Sequence, residues 1–92
     1  MSHVSYDSLP AYMVEPAQDY VERGIEPDHH DFLYELLCND LTGVFKFADN
    51  NNLAALQTWV TWLWWEVPAN AWGSAEKVKA WVERGGLEAT DD

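Results

Sequence analysis

Seven carboxylates crowd one short part of the chain: Glu15, Asp19, Glu22, Glu26, Asp28, Asp31 and Glu35. The first four stand four, three and four residues apart, and the last three repeat the pattern at three and four. On a helix, residues so spaced are neighbours on one face, about 5–6 Å apart. That separation is comparable to the spacing of phosphates along a nucleic-acid strand. Like charges in this arrangement disfavour a helix by a few tenths of a kcal/mol per pair, and no lysine is interleaved to offset them. Two readings follow. The stripe is either a phosphate-mimicking surface that occupies the DNA- or RNA-binding groove of another protein, or a solvated acidic face.

The residue types that do covalent or metal chemistry are poorly placed for it. His29 and His30 sit between Asp28 and Asp31, but adjacent residues on a helix diverge by about 100° and cannot easily share one ion. No H-x-x-x-H spacing is present, so the pair reads as exposed histidines that make a contact pH-sensitive near pH ~6. Cys38 lies in a Leu-rich run without a basic neighbour and reads as a buried structural thiol. Ser2, Ser5, Ser8 and Ser74 have no G-x-S-x-G setting, and no glycine loop is built to cradle phosphate. Carboxylates are too numerous for any pair to be diagnostic of acid–base catalysis. The expectation is a binding protein without catalytic residues, metal or cofactor.

Composition sets the partner class. Sixteen acidic residues face five basic ones, a net charge of −11 over 92 residues. Residues 1 to 45 hold nine acids and one base, Arg23, whereas residues 46 to 92 hold seven acids and four bases. Naked nucleic acid and anionic membranes are poor partners for such a chain; a protein with a basic nucleic-acid-binding surface is a good one. One cysteine forms no internal disulfide, which points to a reducing cytoplasm. The stretch "MSHVSYDSLPAYM" lacks the basic and apolar regions of a signal peptide, and the longest apolar run is four residues, too short for a membrane span. With 48% hydrophobic residues, the chain is read as one domain over 1–92, with 1–10 and 87–92 as flexible ends.

The elements that position these residues read as all-α, a bundle of four to five short helices. Strand signals are poor and no internal repeat stands out. Met13, Ala17, Tyr20 and Val21 define a first helix over about 11–23, with Pro16 in its first turn or at a kink and Gly24 as a left-handed cap. Pro27 suits the start of a second helical stretch, with Asp28 and Asp31 at the positive end of its dipole. Asn39-Asp40 and Gly43 are candidate breaks within it. One residue of Asp49–Asn52 caps a third helix over about 51–67, ended by Pro68. Ser74 caps the last helix, whose buried stripe is Val78, Trp81, Val82 and Gly85, and Gly85-Gly86 stops it. The candidate core is Leu36, Leu41, Phe45, Leu56, Val60, Leu63, Trp64 and Trp81.

Five of the fourteen residues in "WVTWLWWEVPANAW" (59–72) are tryptophan. At 100° per residue from Leu53, the residues Leu56, Val60, Leu63, Trp64 and Val67 share one arc with Leu53. Trp62 and Trp65 point away from that arc. They form an exposed patch suited to a self- or partner interface, unless the N-terminal segment or the last helix covers them.

Over residues 12–86 the chain resembles a group of small, uncharacterised helical proteins encoded by tailed bacteriophages and prophages. The likeness lies in "YVERGIEP", "NDL", "ADNNNLAAL", "WLWWEVP" and "WGSAEKVKAWVERGGL", the last carrying a W-G-S-x-E-K-V-x-A-W motif. The resemblance implies a helical domain of phage origin working in the host bacterial cytoplasm. By class-level analogy, small acidic phage proteins disable host nucleic-acid machines, as anti-CRISPR and antirestriction inhibitors do. The leading expectation is therefore an inhibitor of a host defence complex that acts as a DNA mimic through the acidic face of residues 15–40. The alternative is a phage accessory or structural protein that self-assembles, as a homodimer for instance, through Trp62 and Trp65.

Overall fold

A computed structural model describes residues 4–29 and 31–90. Every regular element among them is helical: α1 (Val14–Arg23), α2 (Phe32–Leu37), α3 (Leu41–Phe47), α4 (Asn50–Ala54), α5 (Leu56–Glu66) and α6 (Ala75–Arg84). Short 3₁₀ turns at Ala11–Met13, Ala69–Ala71 and Leu87–Thr90 connect or extend them. The all-α bundle expected from the sequence is the observed fold.

Local chemistry sets most boundaries. Pro16 falls in the first turn of α1, where its missing N–H has no intrahelical partner to lose. Asp40, Asp49 and Ser74 each accept a backbone N–H three residues on, from Gly43, Asn52 and Lys77, and so cap α3, α4 and α6. Gly24 and Gly85 end α1 and α6 in the left-handed conformation, at φ 71° and 91°. Two boundaries differ from expectation. The second stretch becomes helical only at Phe32, and the described residues of 24–31 are irregular, because the apolar three-and-four rhythm starts there and nothing before it but Ile25 is available for burial. The helix expected over 51–67 is broken at Ala55, which separates α4 from α5.

The core is a column of rings. Phe32 meets Trp59 edge-on at 5.3 Å between centroids, Trp59 meets Trp62 edge-on at 5.6 Å, and Tyr6 lies on Trp62 at 5.9 Å. Around it Leu33, Leu36, Leu37, Val44, Leu63, Val78 and Trp81 are buried with Ala17, Tyr20 and Val21 of α1. α2 packs on α3, α6 on the 69–71 turn, and α1 on the 87–90 turn. Of the expected core, Leu36, Leu63 and Trp81 are buried and Leu56 is half-buried. Leu41, Phe45, Val60 and Trp64 are exposed instead. α5 is apolar on nearly every side, so periodicity alone cannot choose its inner face. The arc that buries Trp59, Trp62 and Leu63 encloses more ring area than the Val60–Trp64 arc, and ring burial dominates core energetics.

The ends of α1 and α6 touch backbone to backbone. A Cβ on Gly86 would lie 2.5 Å from the Gly24 nitrogen, and one on Gly24 would lie 2.8 Å from the Gly85 carbonyl carbon. The segments in contact, Tyr20-Val21-Glu22-Arg23-Gly24 and Trp81-Val82-Glu83-Arg84-Gly85, are near-copies of each other, a likeness missed when the chain is scanned for longer repeats. Trp81 Nε1 donates to the Tyr20 carbonyl at 3.0 Å, and the Tyr20 hydroxyl donates to the Ala71 carbonyl at 2.6 Å. The segments read as loose ends also make contacts: Leu9 is buried, and the Ser5 N–H donates to Glu66 at 3.0 Å.

Candidate functional sites: an acidic surface and an uncharged helix face

The seven carboxylates do not form one helical stripe. Glu15, Asp19 and Glu22 lie on α1, Glu26 and Asp28 lie in the irregular segment, Asp31 precedes α2, and Glu35 lies within it. Several are engaged internally. Asp19 holds Arg23 at 2.9 Å, Glu22 accepts from the Tyr6 hydroxyl at 3.0 Å, and Glu26 lies 3.1 Å from His29 Nε2. Glu35 lies against Gly43, where an added Cβ would meet its Oε1 at 2.5 Å. Glu15, Asp28 and Asp31 are exposed and, among the described residues, paired with no cation. Arg23, the one base of residues 1–45, is drawn to Asp19 and, at 3.8 Å, to Glu88. The exposed acidic surface is therefore narrower than its sequence pattern, and little positive charge offsets it.

His29 stacks on Tyr34 at 4.4 Å; His30 lies outside the described residues. Burial, followed by a hydrogen bond with Cys38, pushes the Tyr34 hydroxyl up to about 12. Burial first, and nearby acids second, also push the Cys38 thiol above its ordinary value despite the Tyr34 hydrogen bond. A half-buried thiol held protonated is a poor nucleophile. Among the described residues, no three His, Cys, Asp or Glu side chains converge as metal ligands would. No helix among the described residues is long and apolar enough to cross a membrane.

The tryptophans divide sharply. Trp59, Trp62 and Trp81 are buried, and each indole N–H has a partner: Asn52 Oδ1 at 3.1 Å, the Ser5 carbonyl at 2.7 Å and the Tyr20 carbonyl at 3.0 Å. Trp62, expected at the surface beside Trp65, is thus a core residue, covered by the N-terminal segment that supplies Ser5 and Tyr6. Trp64, expected in the core, is 69% exposed and Trp65 is 75% exposed. Val60 and Leu53 are exposed too; Val60, four residues before Trp64, lies on the same side of α5, and Leu53 lies on α4 beyond the Ala55 break. The signal that would have found this face is charge: from Asn50 to Trp65, sixteen residues pass without an acid or a base. Beside Trp65 runs a groove of about 340 Å³, lined by Ser8, Gln57, Thr58, Thr61, Trp62 and Glu66.

These features define a class, a small acidic helical domain with a carboxylate-bearing end and an uncharged aromatic face. No known family model matches the chain, and no curated protein or solved structure gives a significant match.

Proposed function

We propose that this chain is a non-enzymatic binding protein that docks on a partner protein through the carboxylates of α1 and the 24–31 segment. The partner is one whose own task requires a Lys- and Arg-rich surface for nucleic acid. One observation carries the reading: Glu15, Asp28 and Asp31 stand exposed without a cation among the described residues, on a chain of net charge −11. Asp19, Glu22 and Glu26 are held by internal partners, Arg23, Tyr6 and His29, and with Glu35 they add negative charge to that part of the chain. The resemblance to small phage proteins narrows the partner to a host defence complex, which the chain inhibits by occupying the groove meant for DNA or RNA. Individual exposed pairs contribute roughly 0–1 kcal/mol, so several act together, and attraction at a distance accelerates the encounter.

The test is capture with the tagged protein from host lysate at low and high salt, followed by affinity measurement on the partner recovered. The expected partner is a nucleic-acid-handling subunit held at low salt and released at high salt. The triple variant Glu15→Lys/Asp28→Lys/Asp31→Lys should bind it about tenfold or more weakly, and bound DNA or RNA should compete. An affinity loss below about twofold would overturn the assignment of the acidic surface.

A further inference from the structure

We infer that the outer face of α4 and α5 is the contact between two copies of this chain. The inference is independent of the acidic surface and concerns the opposite kind of chemistry. Two molecules that each carry −11 repel, so copies meet only where carboxylates are absent. The stretch 50–65 is uncharged, and its outer residues Leu53, Gln57, Val60, Thr61, Trp64 and Trp65 are all exposed. A basic partner gains little from this face, because its carboxylates, Asp49 and Glu66, stand only at the two ends of the stretch and already accept from Tyr12 and Ser5. Shape points the same way. A twofold contact needs one surface that complements itself, and here a projecting ring, Trp64, and a groove beside Trp65 share one helix. The ring of each copy can enter the groove of the other across antiparallel α5 helices.

The area is adequate. With roughly 150–250 Å² per indole side chain, the exposed fractions of Trp64 and Trp65 leave on the order of 300 Å² on the two rings. Val60, Leu53 and their polar neighbours raise this to roughly 600 Å² per copy, so a dimer buries on the order of 1,200 Å² in total, the lower edge of specific interfaces. The face is neutral and its rings make no hydrogen bond within the described chain. Association therefore strengthens as salt screens the repulsion between copies.

Light scattering of the pure protein across a concentration series, at low and high salt, tests the inference. The expected result is a mass of twice 10.5 kDa that persists to lower concentration at high salt. Val60→Glu sets two like charges near the twofold axis and should weaken association by about tenfold or more. Trp64→Ser/Trp65→Ser should give the monomer. Both variants alter exposed side chains, and an unchanged far-ultraviolet circular dichroism spectrum verifies their folds. Glu15→Lys should leave the mass unchanged. A monomer at every concentration and salt overturns the inference and leaves the face to a different protein. A dimer indifferent to both variants also overturns it, by placing the contact elsewhere. Neither result bears on whether the Glu15/Asp28/Asp31 variant loses its partner, so the two proposals fail separately.

Discussion

Trp62 and Trp65 are three residues apart on one helix and have opposite fates. Trp62 is 2% exposed, donates its N–H to Ser5 and lies between Trp59 and Tyr6. Trp65 is 75% exposed and, among the described residues, its indole N–H has no acceptor. Removing the first leaves a large cavity and strands the Ser5 carbonyl, so Trp62→Ala should cost about 3–5 kcal/mol in urea unfolding. Trp65→Ala should stay within about 0.5 kcal/mol, measured at concentrations where the chain is monomeric. Equal effects of the two substitutions would contradict the placement of the rings. The sequence could not separate them, because residue type carries hydrophobicity but not the identity of the segment that folds over it. The covering residues, Ser5 and Tyr6, lie 57 and 56 positions away from Trp62, in a stretch read as a loose end. Chemistry confined to one residue and its nearest neighbours was more legible: Cys38 was read as a buried structural thiol, and it is half-buried with its pKa raised chiefly by burial.

Helix ends proved more readable than helix faces. An end is decided by one or two residues whose conformational preferences are intrinsic: Gly24 and Gly85 at positive φ, Ser74 as a cap and Asp40 after the Asn39 break. Asn39 itself takes φ 61°, a conformation asparagine accepts more readily than most residues. A face depends on the competition between all sides of the helix, and α6 and α5 mark the two limits. α6 alternates charged and apolar positions, and its expected Val78 and Trp81 are buried. α5 carries apolar residues all round, and its face was read about 100° from the true one. The Ser74 cap gives an element-scale prediction. Its hydroxyl accepts from the Lys77 N–H at 3.1 Å, and Ser74→Ala should lower stability by about 1 kcal/mol, seen as a shift in urea midpoint with unchanged slope. Ser74→Asp should retain most of the stability, because a carboxylate accepts the same bond and suits the helix dipole.

For the molecule as a whole, charge is the governing quantity. A net −11 on 92 residues stores self-repulsion that the folded state concentrates and the unfolded chain relieves. Added sodium chloride should therefore raise the thermal midpoint of the monomer, tested with the Val60→Glu variant so that dimerisation does not contribute. A midpoint independent of salt would mean that the acids are too dispersed to repel appreciably. The same salt should weaken partner docking through the acidic surface and strengthen pairing through the uncharged face, which assigns opposite signs to the two surfaces. Composition made the acidity plain, and it made the lack of charge in 50–65 equally plain. What it could not convey is that the acids of 15–35 are divided between a helix, an irregular segment and a second helix, with several of them tied to internal partners.

The glycine contact between α1 and α6 has a consequence for synthesis. Gly86 seats against Arg23 and Gly24 with room for nothing larger than hydrogen, and Trp81 reaches back to Tyr20 across 61 positions. Helices α1 to α5 can form before the end of α6 exists, but the glycine contact that seats α1 on residues 85 and 86 cannot close until residue 86 has been made. Loop closure over such a separation comes late, and until then the Trp81 indole N–H is without the Tyr20 carbonyl that accepts from it. The join between α1 and α6 is therefore a closing step of folding rather than an early one.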